Sequence, residues 1–166
     1  MKKKLEKIKQ QVIECTKCEL SQTRNNSVAG KKLSIALESA GITREEVYIT
    51  NIVKCRPPKN RVPTSIERET CQNYLKKEIE IIEPKIICIL GNTAFNSLLD
   101  GKEITKFRGK VVSKNNQLYF LTVHPAATIY NQKLIDVLKK DMKKLFKLIK
   151  ELKDKKKIKI DIEYTS

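Results

Sequence analysis

Residues 47–71 read VYITNIVKCRPPKNRVPTSIERETC, and the fold turns on how this stretch is read. Val47, Ile49, Asn51 and Val53 alternate with Tyr48, Thr50, Ile52 and Lys54, and both faces carry β-branched or aromatic side chains, which predicts a strand. A strand buried on both faces belongs in a parallel sheet. At Cys55-Arg-Pro-Pro58 two prolines without amide hydrogens end the ladder and start an extended loop. A loop leaving the carboxyl end of a parallel strand is where α/β folds bind ligands. Beyond Asn60, Arg61 and Pro63, Thr64 with Glu67 three positions on forms a capping box. A helix is therefore predicted from Thr64, with Cys71 on its second turn.

Upstream, residues 2–13 predict a short helix with Leu5, Ile8 and Val12 on one stripe, followed by Cys15-Thr-Lys-Cys18. Residues 19–30 read as loop, and Lys31 to Ala40 as a helix ended by Gly41. Downstream, the helix from Thr64 runs to about Ile82, before Pro84, with Tyr74, Leu75, Ile79 and Ile82 inward. Lys85 to Leu90 is a continuous apolar strand that Gly91 turns, and Asn92 is placed to cap a helix reaching Leu99. Val111 to Ser113 and Leu118 to Val123 read as a hairpin around Asn115 and Asn116, its second arm leading into His124, the single histidine of the chain. Lys133 to Lys153 predicts a helix whose stripe is Leu134, Leu138, Met142, Leu145, Ile149 and Leu152, its lysines forming a solvated face. Residues 158–164, IKIDIEY, alternate like an edge strand. The whole reads as one α/β domain, residues 1–166, large enough to fold without cross-links.

With 35 Lys and Arg against 19 Asp and Glu, the formal net charge is +16, so a polyanion is the first partner to consider. The basic start, Met1 to Lys4, is followed by an amphipathic stretch rather than the apolar core of a signal peptide, and no apolar run approaches the roughly 20 residues of a membrane span. A cytosolic protein with reduced cysteines and no membrane partner is expected. Cys15 and Cys18 form a Cys-x-x-Cys, either a redox pair or half of a metal site. The redox reading wants the pair at a helix start after a strand, whereas here it follows a helix. Cys55 and Cys71, 16 positions apart, supply two further thiolates, and Cys88 inside the run Ile86 to Leu90 reads as core. A zinc ribbon normally uses a second close pair, so the wide spacing favours an iron–sulfur cluster, with zinc as the alternative.

Several stretches together resemble the iron–sulfur uracil-DNA glycosylases, the family 4 type of archaea and thermophilic bacteria. They are Cys15-Thr-Lys-Cys18-Glu-Leu20 with Thr23-Arg24, Val47-Tyr-Ile-Thr-Asn51-Ile-Val-Lys-Cys55-Arg-Pro-Pro58 with Asn60-Arg61 and Pro63, Cys71-Gln-Asn-Tyr74-Leu75, Pro84-Lys85 leading into Leu90-Gly91, Ile104-Thr-Lys-Phe-Arg108-Gly109, and His124-Pro125-Ala126. The resemblance implies a three-layer α/β/α fold around a central parallel sheet. It also implies uracil excision from DNA in base excision repair, by a monomer in a prokaryotic, archaeal-like cell, associated with the nucleoid. Asn51 matches the family's base-reading amide and His124 its catalytic histidine. Arg56, Arg61, Arg108, Pro125 and Ala126 would contact the DNA backbone. Cys15, Cys18, Cys55 and Cys71 would hold a structural 4Fe-4S cluster.

One departure from the family is large. Its members carry a first strand ending in a Gly-Glu-Ala-Pro-Gly-like loop between the Thr-Arg element and an Ala-Gly-Lys helix start, whereas here Thr23-Arg24 passes through Asn25 to Val28 straight into Ala29-Gly30-Lys31. The sheet is therefore expected to be one strand short. In the family that loop holds the acidic residue that positions the attacking water, and an aromatic residue that stacks on uracil lies just beyond it. Glu38, Glu45 and Glu46 are nearby acids but read as solvated surface. After His124 the family tends to Leu-Arg-Asn-Pro, and this chain has Ile129-Tyr130-Asn131-Gln132. The alternative is thus a catalytically impaired or inactive iron–sulfur DNA-binding protein on the same scaffold. A four-cysteine zinc domain binding RNA would explain the charge but not Asn51 and His124.

Overall fold

Along the chain, a computed structural model describing residues 1–22 and 31–164 forms helices α1 (Lys2–Ile13), α2 (Lys31–Glu38), α3 (Ser65–Ile82), α4 (Asn92–Leu99), α5 (Ile104–Phe107), α6 (Ala127–Tyr130) and α7 (Lys133–Lys153). Its strands are β1 (Ile86–Leu90), β2 (Val111–Lys114), β3 (Gln117–Thr122) and β4 (Ile162–Tyr164). Thr23-Arg24 and the junction to Gly30 lie outside the described residues. Residues 1–22 and 50–84 gather into one compact unit, and residues 31–49 and 85–164 into a second.

The second unit holds the sheet, in the order β1-β3-β2-β4. β1 and β3 run parallel, from Ile86 opposite Leu118 to Leu90 opposite Thr122. β2 and β3 are antiparallel, because only Asn115 and Asn116 separate them, both at positive φ (50° and 60°), and a two-residue connection of this kind returns the chain antiparallel. β4 pairs with β2 in parallel, so only the end of the alternation at 158–164, Ile162–Tyr164, becomes an edge strand, and the sheet is mixed rather than wholly parallel.

Side-chain alternation makes this unit three-layered. Ile86, Cys88, Leu90, Val111, Leu118 and Phe120 face Leu33, Leu37, Leu138, Met142 and Leu145 of α2 and α7. Ile87, Ile89, Val112, Tyr119, Leu121 and Ile162 face Phe95, Leu99 and Ile104 of α4 and α5. β1 and β3 are covered on both sides, which explains their near-continuous apolar sequences.

The strand predicted over Val47 to Val53 does not form. Val47 is extended (φ −123°, ψ 142°), and Val47 and Ile49 pack on the α2/α7 side of the core, but no strand among the described residues pairs with them. Alternation selects side chains for burial, whereas a strand also needs a neighbour to take its N–H and C=O groups. Asn92 differs from expectation too. It is the first residue of α4 rather than its cap, and its Oδ1 accepts from the Ile104 N–H at 2.7 Å, satisfying the start of α5 instead.

In the first unit α1 lies on α3, with Ile8, Tyr74 and Leu75 buried. The capping box forms as read. Thr64 Oγ1 accepts from the Glu67 N–H at 3.3 Å, and Glu67 Oε2 accepts from the Thr64 N–H at 2.8 Å. Ile79 and Ile82 are half-buried, and it is Glu78 that α3 turns inward.

Candidate active site and metal centre

The parallel pairing of β1 and β3 brings their carboxyl ends to one edge of the sheet, with Gly91 following β1 and His124 standing two residues beyond β3. The Gly91 N–H donates to the Thr122 carbonyl at 3.0 Å. Gly91 has φ +84°, and a Cβ there would lie 2.7 Å from His124 Cβ, so only glycine lets His124 rest against the end of β1. Sequence reading made Gly91 a turn after the strand; the structure adds that its missing Cβ makes room for the histidine.

His124 Nδ1 accepts from the Ala126 N–H at 3.1 Å. An accepting Nδ1 puts the proton of the neutral ring on Nε2. Partial burial pushes the imidazole pKa below its ordinary value, favouring that neutral form. Pro125 is buried, and its carbonyl accepts from the Thr128 N–H and Oγ1 at 3.1 and 2.7 Å, fixing the turn that presents the Ala126 amide.

The Arg108 loop is held from α7. Arg108 donates from Nε and Nη2 to the two carboxylate oxygens of Asp141, which is 3% exposed, and Thr122 Oγ1 donates to Asp141 Oδ2 at 2.6 Å. Lys144 Nζ donates to the Gly109 carbonyl, and the Gly109 N–H donates to Leu121. One buried carboxylate thus ties the Arg108 loop to the strand that leads to His124. Sequence reading missed Asp141; its position three residues after Leu138 and one before Met142, on the inward stripe, was the available signal.

In the first unit, Cys55 and Cys71 are buried and Cys15 and Cys18 half-buried. Burial raises the Cys71 thiol pKa most, negative charge on Cys18, Cys55 or Cys15 raises it further, and the Lys54 backbone N–H, which donates to Cys71, opposes the shift. Among the described residues no three His, Cys, Asp or Glu side chains converge on a single ion position. Cys88 is elsewhere, on β1 against the α2/α7 layer, and burial pushes its thiol up to about 12, as suits a core residue.

Asn51 is exposed, and its carbonyl accepts from Lys54 Nζ at 3.1 Å. Arg56 is exposed, with Nε donating to Asn60 Oδ1 at 2.6 Å. Arg61 donates from Nη1 and Nη2 to both oxygens of Glu67, at 2.8 and 2.6 Å, and this pairing holds the Glu67 carboxyl down at about 2. Glu46 ends a single short helical turn, Arg44–Glu46, and its Oε2 accepts from the Thr43 N–H at 2.8 Å; Glu38 and Glu45 are exposed.

Residues 21–153 match the family model described as the uracil DNA glycosylase superfamily. The type-4 uracil-DNA glycosylase of Sulfurisphaera tokodaii is 37% identical over 185 aligned positions, covering 87% of this chain and 84% of that protein. That of Archaeoglobus fulgidus is 33% identical, covering 87% and 92%, and that of Thermotoga maritima 41% identical, covering 74% and 67%.

Proposed function

Because this chain belongs to the uracil-DNA glycosylase superfamily, as one of its type-4 members, we propose that it excises uracil from DNA by hydrolysing the N-glycosidic bond, in base excision repair. The observation that carries the reading is the Ala126 N–H bond to His124 Nδ1 at the end of β3. It leaves a neutral imidazole with Nε2–H as its donor, suited to the negative charge that grows on uracil O2 as the bond to the sugar breaks. A preorganised donor of this kind is commonly worth about 3 kcal/mol.

Uracil must leave the base stack before its glycosidic bond can be reached. The Asn51 carboxamide can donate to uracil O4 and accept from N3–H, whereas cytosine reverses both groups and leaves them unpaired. Arg56 is the arginine we assign to phosphate. Arg61 and Arg108, whose forks are filled by Glu67 and Asp141, act by fixing the loops they stand on.

Cys15, Cys18, Cys55 and Cys71 would hold the 4Fe-4S cluster. Hydrolysis of a glycosidic bond exchanges no electrons, so the cluster's contribution is to clamp the segment after α1, the Pro57-Pro58 loop and α3. Cys71→Ser should release the iron and lower stability; unchanged iron content would remove the cluster assignment.

A second reading, an impaired or inactive DNA-binding protein on this scaffold, draws on one observation. The alignment with the Sulfurisphaera tokodaii protein spans 185 positions although this chain has 166 residues, which supports a segment present there and absent here. The deciding experiment is uracil release from a single-stranded and a U·G duplex oligonucleotide by anaerobically purified protein, beside His124→Ala. Release lost in the variant supports the enzyme. No release by iron-loaded protein that still binds DNA supports the second reading.

A further inference from the structure

Lys54 and Glu78 form an ion pair at 2.6 Å whose side chains are each only 8% exposed. Lysine is almost never buried unless its charge is met, and desolvating such a pair costs as much as its attraction returns. Stability alone therefore gives little reason for it. Its connections give one. The ammonium has three protons and three acceptors: Glu78 Oε2 at 2.6 Å, Thr50 Oγ1 at 2.7 Å and the Asn51 carbonyl at 3.1 Å. Thr50 Oγ1 in turn donates to Glu78 Oε2 at 2.8 Å. Residues 50, 51 and 54 are thereby drawn onto α3, the helix that carries Cys71, and the Lys54 backbone N–H donates to the Cys71 thiol. Among the described residues no strand ladder holds this stretch, and the buried cluster takes over that task.

We propose that Lys54, Glu78 and Thr50 are positioning residues that set the backbone at Asn51, and so fix the carboxamide that distinguishes uracil from cytosine. This rests on the base-reading role given to Asn51 above. The arrangement also accounts for the placement of Lys54 beside the cysteine ligand: the bonds that hold the reading residue start from the same helix that holds the metal centre. A charged pair is directional where an apolar pair is not, so replacing it by apolar residues of similar volume should preserve the fold and lose the positioning.

The test uses the full, iron-loaded chain with Lys54→Met/Glu78→Met, read by fluorescence anisotropy on single-stranded oligonucleotides carrying one U or one C. Iron content and melting temperature are measured in parallel, with Asn51→Ala as the benchmark. The expected result is parental iron content, a melting temperature within a few degrees, and a U-over-C preference reduced roughly tenfold, the scale of a sub-ångström misplacement of a binding group. A double variant that discriminates as well as the parent, while Asn51→Ala does not, overturns the positioning role and leaves the base-reading role standing. A parent without U-over-C preference, or Asn51→Ala that keeps it, overturns both. Should the double variant not fold, Thr50→Val decides. It removes one link without leaving an unpaired charge, and an unchanged preference there overturns the proposal.

Discussion

Gly91→Ala should damage the protein through His124 more than through the fold. The added Cβ would stand 2.7 Å from His124 Cβ, while ordinary contact starts near 3.4 Å, so one of the two must give by about 0.7 Å. His124 Cβ is bonded to backbone and cannot swing aside as a flexible side-chain end would. Gly91 also sits at φ 84°, ψ 171°, a region that non-glycine residues occupy at a cost of about 1–3 kcal/mol. For a chain of this length that cost lowers the melting temperature by roughly 2–12 °C. Misplacing a catalytic group by about 1 Å slows the reaction about a hundredfold, so a displacement somewhat smaller predicts a turnover rate lower by roughly one to two orders of magnitude, with substrate binding little changed. The assay is single-turnover uracil release beside a thermal melt. Gly41→Ala is the control, because Gly41 has a similar φ of +75° but its Cβ would meet only the Phe146 ring at 3.8 Å. It should lose stability and keep activity. Full activity in Gly91→Ala, or equal loss in both variants, would refute the reasoning.

Asp141→Ala leaves the buried Thr122 hydroxyl and the partly exposed Arg108 without their acceptor, which predicts a loss of about 3 kcal/mol and a melting temperature lower by roughly 6–12 °C; a shift under about 2 °C would show that the carboxylate carries no load. As the single histidine, His124 gives one imidazole signal by NMR, and its titration midpoint should lie below 6.5. The unfolded chain takes up that proton first, so this group's stability term is unchanged above the unfolded value and is lost as pH falls toward the folded one, and the acid limb of activity should lie below 6.5 as well. Glu67 has the opposite origin with the same sense. Its carboxyl drops from 4.5 to about 2, so its contribution is complete above 4.5, disappears as pH falls toward 2, and should be flattened in an acid titration of Arg61→Gln. In a plot of log affinity for DNA against log salt, Arg56→Ala should reduce the slope by about 1 and Arg61→Ala should change it little; equal effects would mean that the Glu67 pair opens on binding.

Much of this was legible because it is local. The Thr64–Glu67 box and the Asn115-Asn116 turn are each decided by residues within a few positions of one another and form where they were read; of the α7 stripe Leu138, Met142 and Leu145 are buried, Leu134, Ile149 and Leu152 are half-buried, and Asp141 and Leu148 turn inward too. The edge strand at β4 and the core role of Cys88 also follow from short patterns. Residues 47–53 show where that reasoning stops. Their alternation is real, and Val47 and Ile49 do pack inward, but ladder formation depends on a partner strand that this chain does not present among its described residues. A periodicity reading sees only the side-chain half of that requirement.

The basic residues in the motifs show the same limit in electrostatic form. Lys54, Arg61 and Arg108 stand beside the residues that give the chain its resemblance, and a charge count assigns all three to a polyanion. Each instead meets a buried carboxylate distant in sequence or turned inward on a helix: Glu78, Glu67 and Asp141. Those acids were legible only as polar positions or, for Glu67, as a cap, because an inward-facing acid breaks the apolar stripe that marks a helix's buried side. The pairings change what the loops can do. A loop whose cation is already neutralised gains little from counterion release but holds its shape before substrate arrives, and preorganised shape is what Asn51 and His124 require. On the function proposed above, attraction to DNA falls to charges outside these pairs, Arg56 among them. On that same function, the cations that attract the polyanion and the cations that aim the chemistry form separate sets, distinguished by whether an acid is buried beneath them.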